Sequence, residues 1–485
     1  MQSDVGKQIG QATKWSSLTE ILAKLVSPIV NMVLARLLTP EAFGTVATIT
    51  MVISFAEIFT DAGFQKYLIQ HEFRNEEELN RSTDVAFWTN LTVSLFICAV
   101  IFFFREAIAE LVGSPGLGNS ISIASVLILV AALSSIQMAR YRREFDFKTL
   151  FYARMAAVLV PIVVTIPLAL ALRNYWALLI GNFASQSLIA AILTIKSKWK
   201  PSLYFSFTTL KEMLSFSTWT LLESISIWLT GYIGVFIVGN YLDQYYLGLY
   251  KTSMSTVNAY MGIITGAITP VLFSALSRYQ HDEQAFKDTY YRFQRLVAVL
   301  IFPMGIGIYL FRELVTSILL GSQWMEASGF VGLWGLTSSF AIIFSHFSSE
   351  VFRSKGKPKI SLFVQILHLA FIVPILLISV RYSFDVLCTA RSLVRFQMIL
   401  TTMVLMHFMY RIRIGKVLKN VFPMLLASVV MVLIGAWMKN VSGSIVWQFF
   451  CILICVLVYF TVLLSCFPKT RAELLELVLA KRKST

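Results

Sequence analysis

A small set of charged residues stands inside long apolar stretches of this sequence, where a charge is costly unless it has a function or a partner. Two of the basic members, Arg391 and Arg395, lie four residues apart, and arginine binds phosphate oxygens in a two-pronged manner that lysine cannot match. The basic residues are Lys24, Arg154, Lys251, Arg391 and Arg395, and the acidic residues are Glu20, Glu57, Asp61 and Glu223. The basic residues could bind an anion, and the acidic residues could bind a cation.

The position of each basic residue within its apolar stretch sets its interpretation. Arg391 and Arg395 lie about 7 and 11 residues from the outer end of the stretch 384–410, which places Arg395 roughly 16 Å deep at 1.5 Å per residue. Arg154 lies only a few residues into its stretch, where its charge can extend back to the interface. Lys251 lies several residues in from the outer side, so it either lines an outward cavity or is an interfacial lysine. Arg395 is therefore the strongest single prediction.

Each acidic residue either lies four positions from another charged residue or matches one through the sequence repeat. Glu20 and Lys24 are four apart on one helix face, an order that favours an ion pair, so they are either a neutralised couple or part of a site. Glu57 and Asp61 are also four apart, and Glu57 is the deeper and better candidate for binding a coupling cation or proton. Glu223 falls within one position of the repeat equivalent of Glu20, which predicts a gate or an ion site.

The elements that carry these residues are membrane helices. The chain is 57% hydrophobic and 14% charged, and a spanning helix needs about 20 mostly apolar residues. The long uninterrupted runs predict an all-α polytopic membrane protein and exclude an outer-membrane barrel. Fourteen spans are predicted, near 15–38, 42–63, 83–104, 119–139, 150–172, 175–195, 213–240, 245–276, 293–311, 327–352, 359–380, 384–410, 420–438 and 444–467.

An internal repeat organises these spans. Shifted by 204 positions, Trp15 falls on Trp219 and Gly44 on Gly248, and Phe104-Arg105-Glu106 recurs as Phe311-Arg312-Glu313 after 207. The basic turn from Arg142 to Lys148 likewise resembles the one from Arg353 to Lys359. We predict two pseudo-symmetric six-helix bundles, 1–200 and 201–410, followed by two additional helices in 411–467 and a basic amphipathic tail, 468–485.

The distribution of lysine and arginine sets the orientation. With a cytoplasmic N-terminus, thirty of the 41 basic residues fall in inside segments and six in outside loops. Both termini are therefore predicted to be cytoplasmic. The net charge of +15 indicates orientation and attraction to anionic membrane lipids, and not binding of nucleic acid.

Enzyme signatures are not found in the sequence. It has no phosphate-binding glycine-rich loop and no histidine or cysteine spacing typical of a metal site, so no cofactor and no metal are expected. The short outside loops leave little room for a catalytic domain. Two equivalent halves predict instead alternating access around a site between them.

Several motifs together carry a resemblance to a known family. They are L-L-T-P-E-A-F-G, the segment Glu76 to Asn90, Y-L-D-Q-Y-Y-L-G-L-Y, P-V-L-F-S-A-L-S-R-Y-Q and L-L-G-S-Q-W. Over about residues 10–410 the chain resembles the Wzx-type polysaccharide flippases, and most of all the colanic-acid-type exporters of the MOP superfamily, which also contains MATE drug exporters and lipid II flippases.

The resemblance implies a substrate and a place in the cell. The substrate would be an undecaprenyl-diphosphate-linked oligosaccharide, moved from the inner to the outer leaflet of the bacterial inner membrane before polymerisation, without ATP. It also implies the polysaccharide polymerase machinery as a partner and leaves open whether a proton or a sodium ion is coupled. On this basis the substrate cavity is assigned to Arg395, Arg391, Lys24, Arg154 and Lys251, and the coupling-ion or gate role to Glu57, Glu223, Glu20 and Asp61.

Two alternatives remain open at this point. A drug-type antiporter would share the fold, although a cationic Arg395 at mid-membrane argues against a cationic cargo. A membrane enzyme of glycan polymerisation would act on the same lipid carrier, but it would need a larger outside loop and does not require the repeat. Drug susceptibility on overexpression tests the first, and glycan length produced by the purified protein tests the second.

Overall fold

The computed structural model describes the backbone of residues 2–61, 63–468 and 470–472, and the side chains of most of these residues. Over this part of the chain the structure is helical and contains no β-strand. That outcome follows from composition, because a chain surrounded by lipid must satisfy its backbone hydrogen bonds within its own helices.

The α-helices follow one another in chain order with short connections. The first ten are α1 Gln2–Leu37, α2 Pro40–Asp61, α3 Phe64–Gln70, α4 Glu76–Phe103, α5 Arg105–Leu111, α6 Gly118–Ala124, α7 Val126–Arg143, α8 Phe147–Val160, α9 Ile166–Leu172 and α10 Trp176–Lys196. The next nine are α11 Phe207–Tyr241, α12 Gln244–Arg278, α13 Glu283–Leu310, α14 Arg312–Leu319, α15 Ser328–Ala341, α16 Ser348–Ser354, α17 Pro358–Ser379, α18 Phe384–Leu393 and α19 Arg395–Tyr410. The last two are α20 Ile414–Lys439 and α21 Ile445–Cys466.

Fourteen segments within the described residues are long and apolar enough to cross a membrane, and each overlaps one of the predicted spans. The prediction of an all-α polytopic membrane protein with fourteen spans is thus confirmed. Some spans are made of several helices joined end to end. The fifth, for example, joins α8 and α9 through a π-helical turn, Pro161–Thr165, where the proline removes a backbone donor and bends the helix.

The sequence repeat is visible in the ends of the helices. Helices α4 and α13 each have 28 residues, and each begins after a side-chain cap, Asn75 and Asp282 respectively. Each ends at a phenylalanine of nearly the same conformation, Phe104 with φ −103° and ψ 19° and Phe311 with φ −105° and ψ 30°. A short helix, α5 or α14, follows in both cases.

The repeated basic turn has the same backbone geometry in both copies. Phe145 has φ 57° and Gly356 has φ 68°, both in the left-handed region. The next amide donates back to a carbonyl five residues earlier, Asp146 N to Tyr141 O at 2.9 Å and Lys357 N to Phe352 O at 2.8 Å. This is the arrangement that commonly ends a helix at a left-handed residue, and glycine adopts it with less strain than phenylalanine.

The chain divides into two compact units, each made of two segments. The first comprises Met1–Thr252 and Leu376–Phe384, and the second comprises Ser253–Ile375 and Asp385–Thr485. The division of the chain at residues 200 and 410 is based on the sequence repeat. It stays a prediction that 1–200 and 201–410 are two homologous halves. The boundaries of the compact units differ from these positions, and two of them fall well inside helices, α12 between Thr252 and Ser253 and α17 between Ile375 and Leu376.

Within the first unit, the two copies of the repeated hairpin touch at equivalent glycines. A Cβ atom added to Gly44 of α2 would lie 1.9 Å from the carbonyl oxygen of Gln244, and one added to Gly248 of α12 would lie 1.8 Å from that of Pro40. The absence of a side chain at both positions therefore allows the N-terminal ends of α2 and α12 to meet backbone to backbone.

Substitution of either glycine should disturb this crossing. We expect Gly44→Ala and Gly248→Ala each to lower the apparent Tm of the purified protein, because the backbones would have to separate, a change that costs about 1–3 kcal/mol or more in packed interiors. Gly262→Ala on α12 is the matched control, since a Cβ there meets no atom within 4 Å. Thermal unfolding measured by loss of monodisperse protein in detergent tests this, and equal Tm values for all three variants would contradict it.

Candidate functional site

The two arginines of the twelfth span converge on one tryptophan in the second unit. Helix α18 ends at Leu393 and α19 begins at Arg395, with Val394 at the junction. The guanidinium carbon of Arg391 lies 4.9 Å from the centre of the Trp334 ring and that of Arg395 lies 3.9 Å from it. A cation over the face of an indole is attracted by the electron density of the ring. We call Arg391, Arg395, Trp334 and Ser338 the arginine cluster.

Helix α15 supplies the other half of this cluster. Trp334 is only 2% exposed, and its indole nitrogen donates a hydrogen bond of 3.0 Å to Oδ1 of Asn258. One turn further along α15, the hydroxyl of Ser338 accepts a hydrogen bond from Nη1 of Arg395. Because residues i and i+4 share a helix face, Trp334 and Ser338 together fix the orientation of the Arg395 side chain.

Close packing against α13 in turn fixes α15. A Cβ on Gly305 of α13 would lie 2.5 Å from Cβ of Ser339, and one on Gly335 of α15 would lie 2.7 Å from Cγ2 of Ile308. These small residues let the two helices approach closely, as is usual where membrane helices pack. The position of Trp334 is therefore set by a rigid contact between helices.

The arginine cluster brings two positive charges close to one tryptophan ring. Among the described residues, no carboxylate lies within salt-bridge distance of Arg395. Arg391 is 7% exposed, and two like charges over one ring repel each other. A charge in such a place is costly unless an anion compensates it. The described contacts of the Arg395 guanidinium are instead the ring of Trp334 and the hydroxyl of Ser338.

A polar chain extends from the cluster along α19. His368 of α17 is 3% exposed, and its Nδ1 lies 3.0 Å from Oε1 of Gln397, the residue two positions after Arg395. The amide nitrogen of Gln397 donates to the hydroxyl of Thr401 at 2.9 Å. His368 is therefore a packed, hydrogen-bonded side chain.

The remaining basic candidates lie in different surroundings. Lys24 forms an ion pair with Glu20 at 3.4 Å, with side-chain exposures of 35% and 64%, which is the neutralised couple that their spacing allowed. Arg154 is exposed on α8. Lys251 of α12 is partly buried, and its Nζ lies 4.5 Å from the centre of the Tyr232 ring.

The acidic candidates are described only in part. Glu57 is partly buried on α2, and its backbone carbonyl accepts a hydrogen bond from the Thr60 hydroxyl. The side chains of Asp61 and Glu223 lie outside the described residues. Within the described part of the chain, no group of three His, Cys, Asp or Glu side chains could hold a metal ion.

Sequence reasoning identified the two arginines but missed their partners. Trp334, Ser338 and Asn258 were not among the predicted site residues, because a tryptophan, a serine or an asparagine carries no formal charge. The available signal was that Trp334, unlike tryptophans near span ends, lies well inside the tenth span, Ser322–Ser354. A polar aromatic residue in the middle of a membrane helix needs a partner for its N–H group.

Comparison with curated proteins finds relatives in polysaccharide assembly. The chain is 25% identical over 331 residues to the succinoglycan biosynthesis transport protein ExoT of Rhizobium meliloti, covering 68% of this chain and 66% of that protein. It is 21% identical over 317 residues to the lipopolysaccharide biosynthesis protein WzxC of Escherichia coli K12, covering 64% of this chain and 63% of that protein. These matches span about two thirds of the length of the relatives.

A solved structure and a sequence family complete the comparison. The fold is similar to that of the lipid II flippase MurJ in an inward closed conformation, with a TM-score of 0.74, 16% sequence identity, and coverage of 93% of this chain and 98% of that one. This likeness confirms the predicted MOP-like fold. The family described as polysaccharide biosynthesis protein matches residues 33–329, more than half of the chain. The chain therefore belongs to this polysaccharide biosynthesis protein family, as the resemblance in its motifs predicted.

Proposed function

We propose that this protein flips undecaprenyl-diphosphate-linked oligosaccharide repeat units from the inner to the outer leaflet of the bacterial inner membrane. It acts as a transporter and not as an enzyme, and it delivers its cargo to the polysaccharide polymerase machinery by alternating access. Both chain termini are cytoplasmic. The family membership and the names of the relatives support this proposal.

The arginine cluster supports the proposal because its side chains can bind the diphosphate of the cargo. A diphosphate must cross a low-dielectric region in which a bare anion is strongly disfavoured. Two guanidinium groups held over Trp334, with Arg395 also bonded to Ser338, offer preorganised donors for phosphate oxygens. The isoprenoid tail can remain in lipid throughout, so only the head group requires a polar path.

The other charged candidates are assigned to the same path. We assign Lys24, Arg154 and Lys251 to the anionic cargo together with the arginine cluster. Glu20, Glu57, Asp61 and Glu223 are the candidates for a gate or for a coupled proton or sodium ion. Glu57 is the strongest of these, because it lies within the second span and is partly buried.

Deletion of the gene tests the function directly. We expect the deletion strain to accumulate a complete lipid-linked repeat unit on the cytoplasmic face and to lose its surface polysaccharide, because the cargo can no longer cross. Extraction of the lipid carrier, with mass spectrometry of the glycan and protection from an externally added glycosidase, measures both. Normal surface polysaccharide together with altered export of small cations would contradict the flippase and favour the drug-type antiporter.

Substitution of Arg395 tests the anion site. Arg395→Gln should reduce transport at least tenfold while leaving membrane insertion intact, since it removes the charge but keeps a polar side chain that can donate hydrogen bonds. Arg395→Lys should restore only part of the activity, because an ammonium group cannot bind phosphate in the two-pronged manner of arginine. Surface polysaccharide in the complemented deletion strain is the measurement.

An arginine in the loop that precedes α18 provides the control for this experiment. Arg381 is exposed, and Arg381→Gln should support transport at the wild-type level. Wild-type transport by Arg395→Gln, at equal protein abundance in the membrane, would remove Arg395 from the site.

Substitution of Glu57 tests ion coupling. Glu57→Gln should abolish the dependence of transport on a proton or sodium gradient, because the amide can neither release a proton nor neutralise a cation. Transport into inside-out vesicles with an imposed gradient measures this, and Glu110→Gln, at an exposed position, is the control. An unchanged gradient dependence would make Glu57 structural.

A further inference from the structure

Three aromatic rings from two helices contact one another in a row in the first unit. The rings of Phe55 and Trp228 are 4.6 Å apart at an interplanar angle of 47°. Those of Trp228 and Tyr232 are 5.3 Å apart at 26°, which is a stacked arrangement. We call Phe55, Trp228 and Tyr232 the aromatic platform. Trp228 and Tyr232 are four residues apart on α11 and so project from one face of that helix.

Polar contacts hold the aromatic platform at both ends. The indole nitrogen of Trp228 donates a hydrogen bond of 3.0 Å to the hydroxyl of Ser54 on α2. At the other end, Nζ of Lys251 lies 4.5 Å from the centre of the Tyr232 ring. Indole N–H groups and ammonium groups both need polar partners in a membrane. The rings are thus oriented by specific contacts as well as by apolar packing.

The position of Lys251 follows from the close packing of α11 against α12. Tyr250 is 1% exposed, and its hydroxyl would lie 2.2 Å from a Cβ added to Gly234. The missing side chain at Gly234 therefore lets Tyr250 lie directly against the backbone of α11. This contact places the next residue, Lys251, beside Tyr232.

The aromatic platform is accessible to a ligand. Trp228, Tyr232 and Lys251 are only partly buried, and Phe55 is 39% exposed. Gly231, one turn after Trp228 on the same side of α11, is exposed, and a Cβ added there would meet no atom within 4 Å. Space therefore lies beside the rings on the side of Gly231.

Rings bordered by polar donors suit one class of ligand. The C–H face of a pyranose ring packs on an aromatic ring, while its hydroxyl or carboxylate groups at the edge need hydrogen bonds. Lys251 has three N–H donors, whereas the Ser54 hydroxyl accepts from Trp228 and donates to the backbone carbonyl of Met51 at 3.1 Å. An aliphatic lipid chain could use the rings but not these donors, so their combination favours a sugar.

We infer that the aromatic platform binds sugar rings of the transported glycan, with Lys251 donating to their oxygen atoms. This inference rests on the proposed function. The arginine cluster would bind the diphosphate, which every cargo of this class carries, and the aromatic platform would bind the glycan, which differs between cargoes. Trp228 is then a specificity residue.

Binding to two probes tests the inference. The purified protein in lipid nanodiscs is titrated with undecaprenyl diphosphate, which has no sugar, and with the lipid-linked oligosaccharide extracted from the deletion strain. Trp228→Leu should weaken binding of the oligosaccharide about tenfold, equivalent to about 1.4 kcal/mol, and leave binding of undecaprenyl diphosphate unchanged. Trp228→Phe, which keeps a ring, should retain most of the affinity and shows that the site still folds.

Two control variants separate the inference from the proposed function. Arg395→Gln should weaken binding of both probes, and Trp437→Leu, at a tryptophan 72% exposed on α20, should weaken neither. Equal weakening of both probes by Trp228→Leu, or no weakening of either, would overturn the aromatic platform as a glycan site while leaving the flippase standing. Failure of the wild-type protein to bind either probe would overturn the flippase itself.

Discussion

The cost of placing charge and polar groups in hydrocarbon governs this structure. A basic side chain at the centre of a membrane helix costs about 2.5–3.5 kcal/mol on insertion scales, so it persists only where the surroundings compensate it. Arg395 meets this condition in part, through the ring of Trp334 and the hydroxyl of Ser338. That compensation requires α15 to stay in place, and α15 is held by glycine contacts with α13. The placement of Arg395 therefore depends on close helix packing at uncharged residues.

Two kinds of surface in the protein suit two parts of one amphiphilic cargo. The arginine cluster presents positive charge, and within the described part of the chain no carboxylate pairs with Arg395, which suits a diphosphate. The aromatic platform presents aromatic rings in contact with Lys251 and Ser54, which suits sugar rings. In our proposal the first contact is common to all cargoes and the second selects among them. This separation would let one fold serve different polysaccharides by changing a few residues on α11 and α12.

The internal repeat shows how similar local physics produces similar structure twice. Phe104 and Phe311 end helices of equal length in almost the same conformation, and Phe145 and Gly356 occupy the same left-handed turn. The residue types at the turn differ, yet the hydrogen bonds are the same. The reason is that ending the helix requires this backbone geometry in both copies. At Gly44 and Gly248 the repeat becomes a direct contact, since each glycine faces the backbone of the other hairpin.

The sequence by itself determined the fourteen spans, the helical fold, the repeat and the most unusual charges. These features follow from hydropathy and spacing, which act locally, so no knowledge of packing was needed to predict Arg391 and Arg395 or the ion-pair geometry of Glu20 and Lys24. Only the tertiary structure decided that Trp334, Ser338 and Asn258 accompany the arginines. It also decided that Phe55 and Trp228, 173 residues apart in the numbering, pack against each other. It also divided the chain into two discontinuous units. The reason is that uncharged residues acquire a role through the neighbours that packing brings to them, and those neighbours lie far away in the sequence.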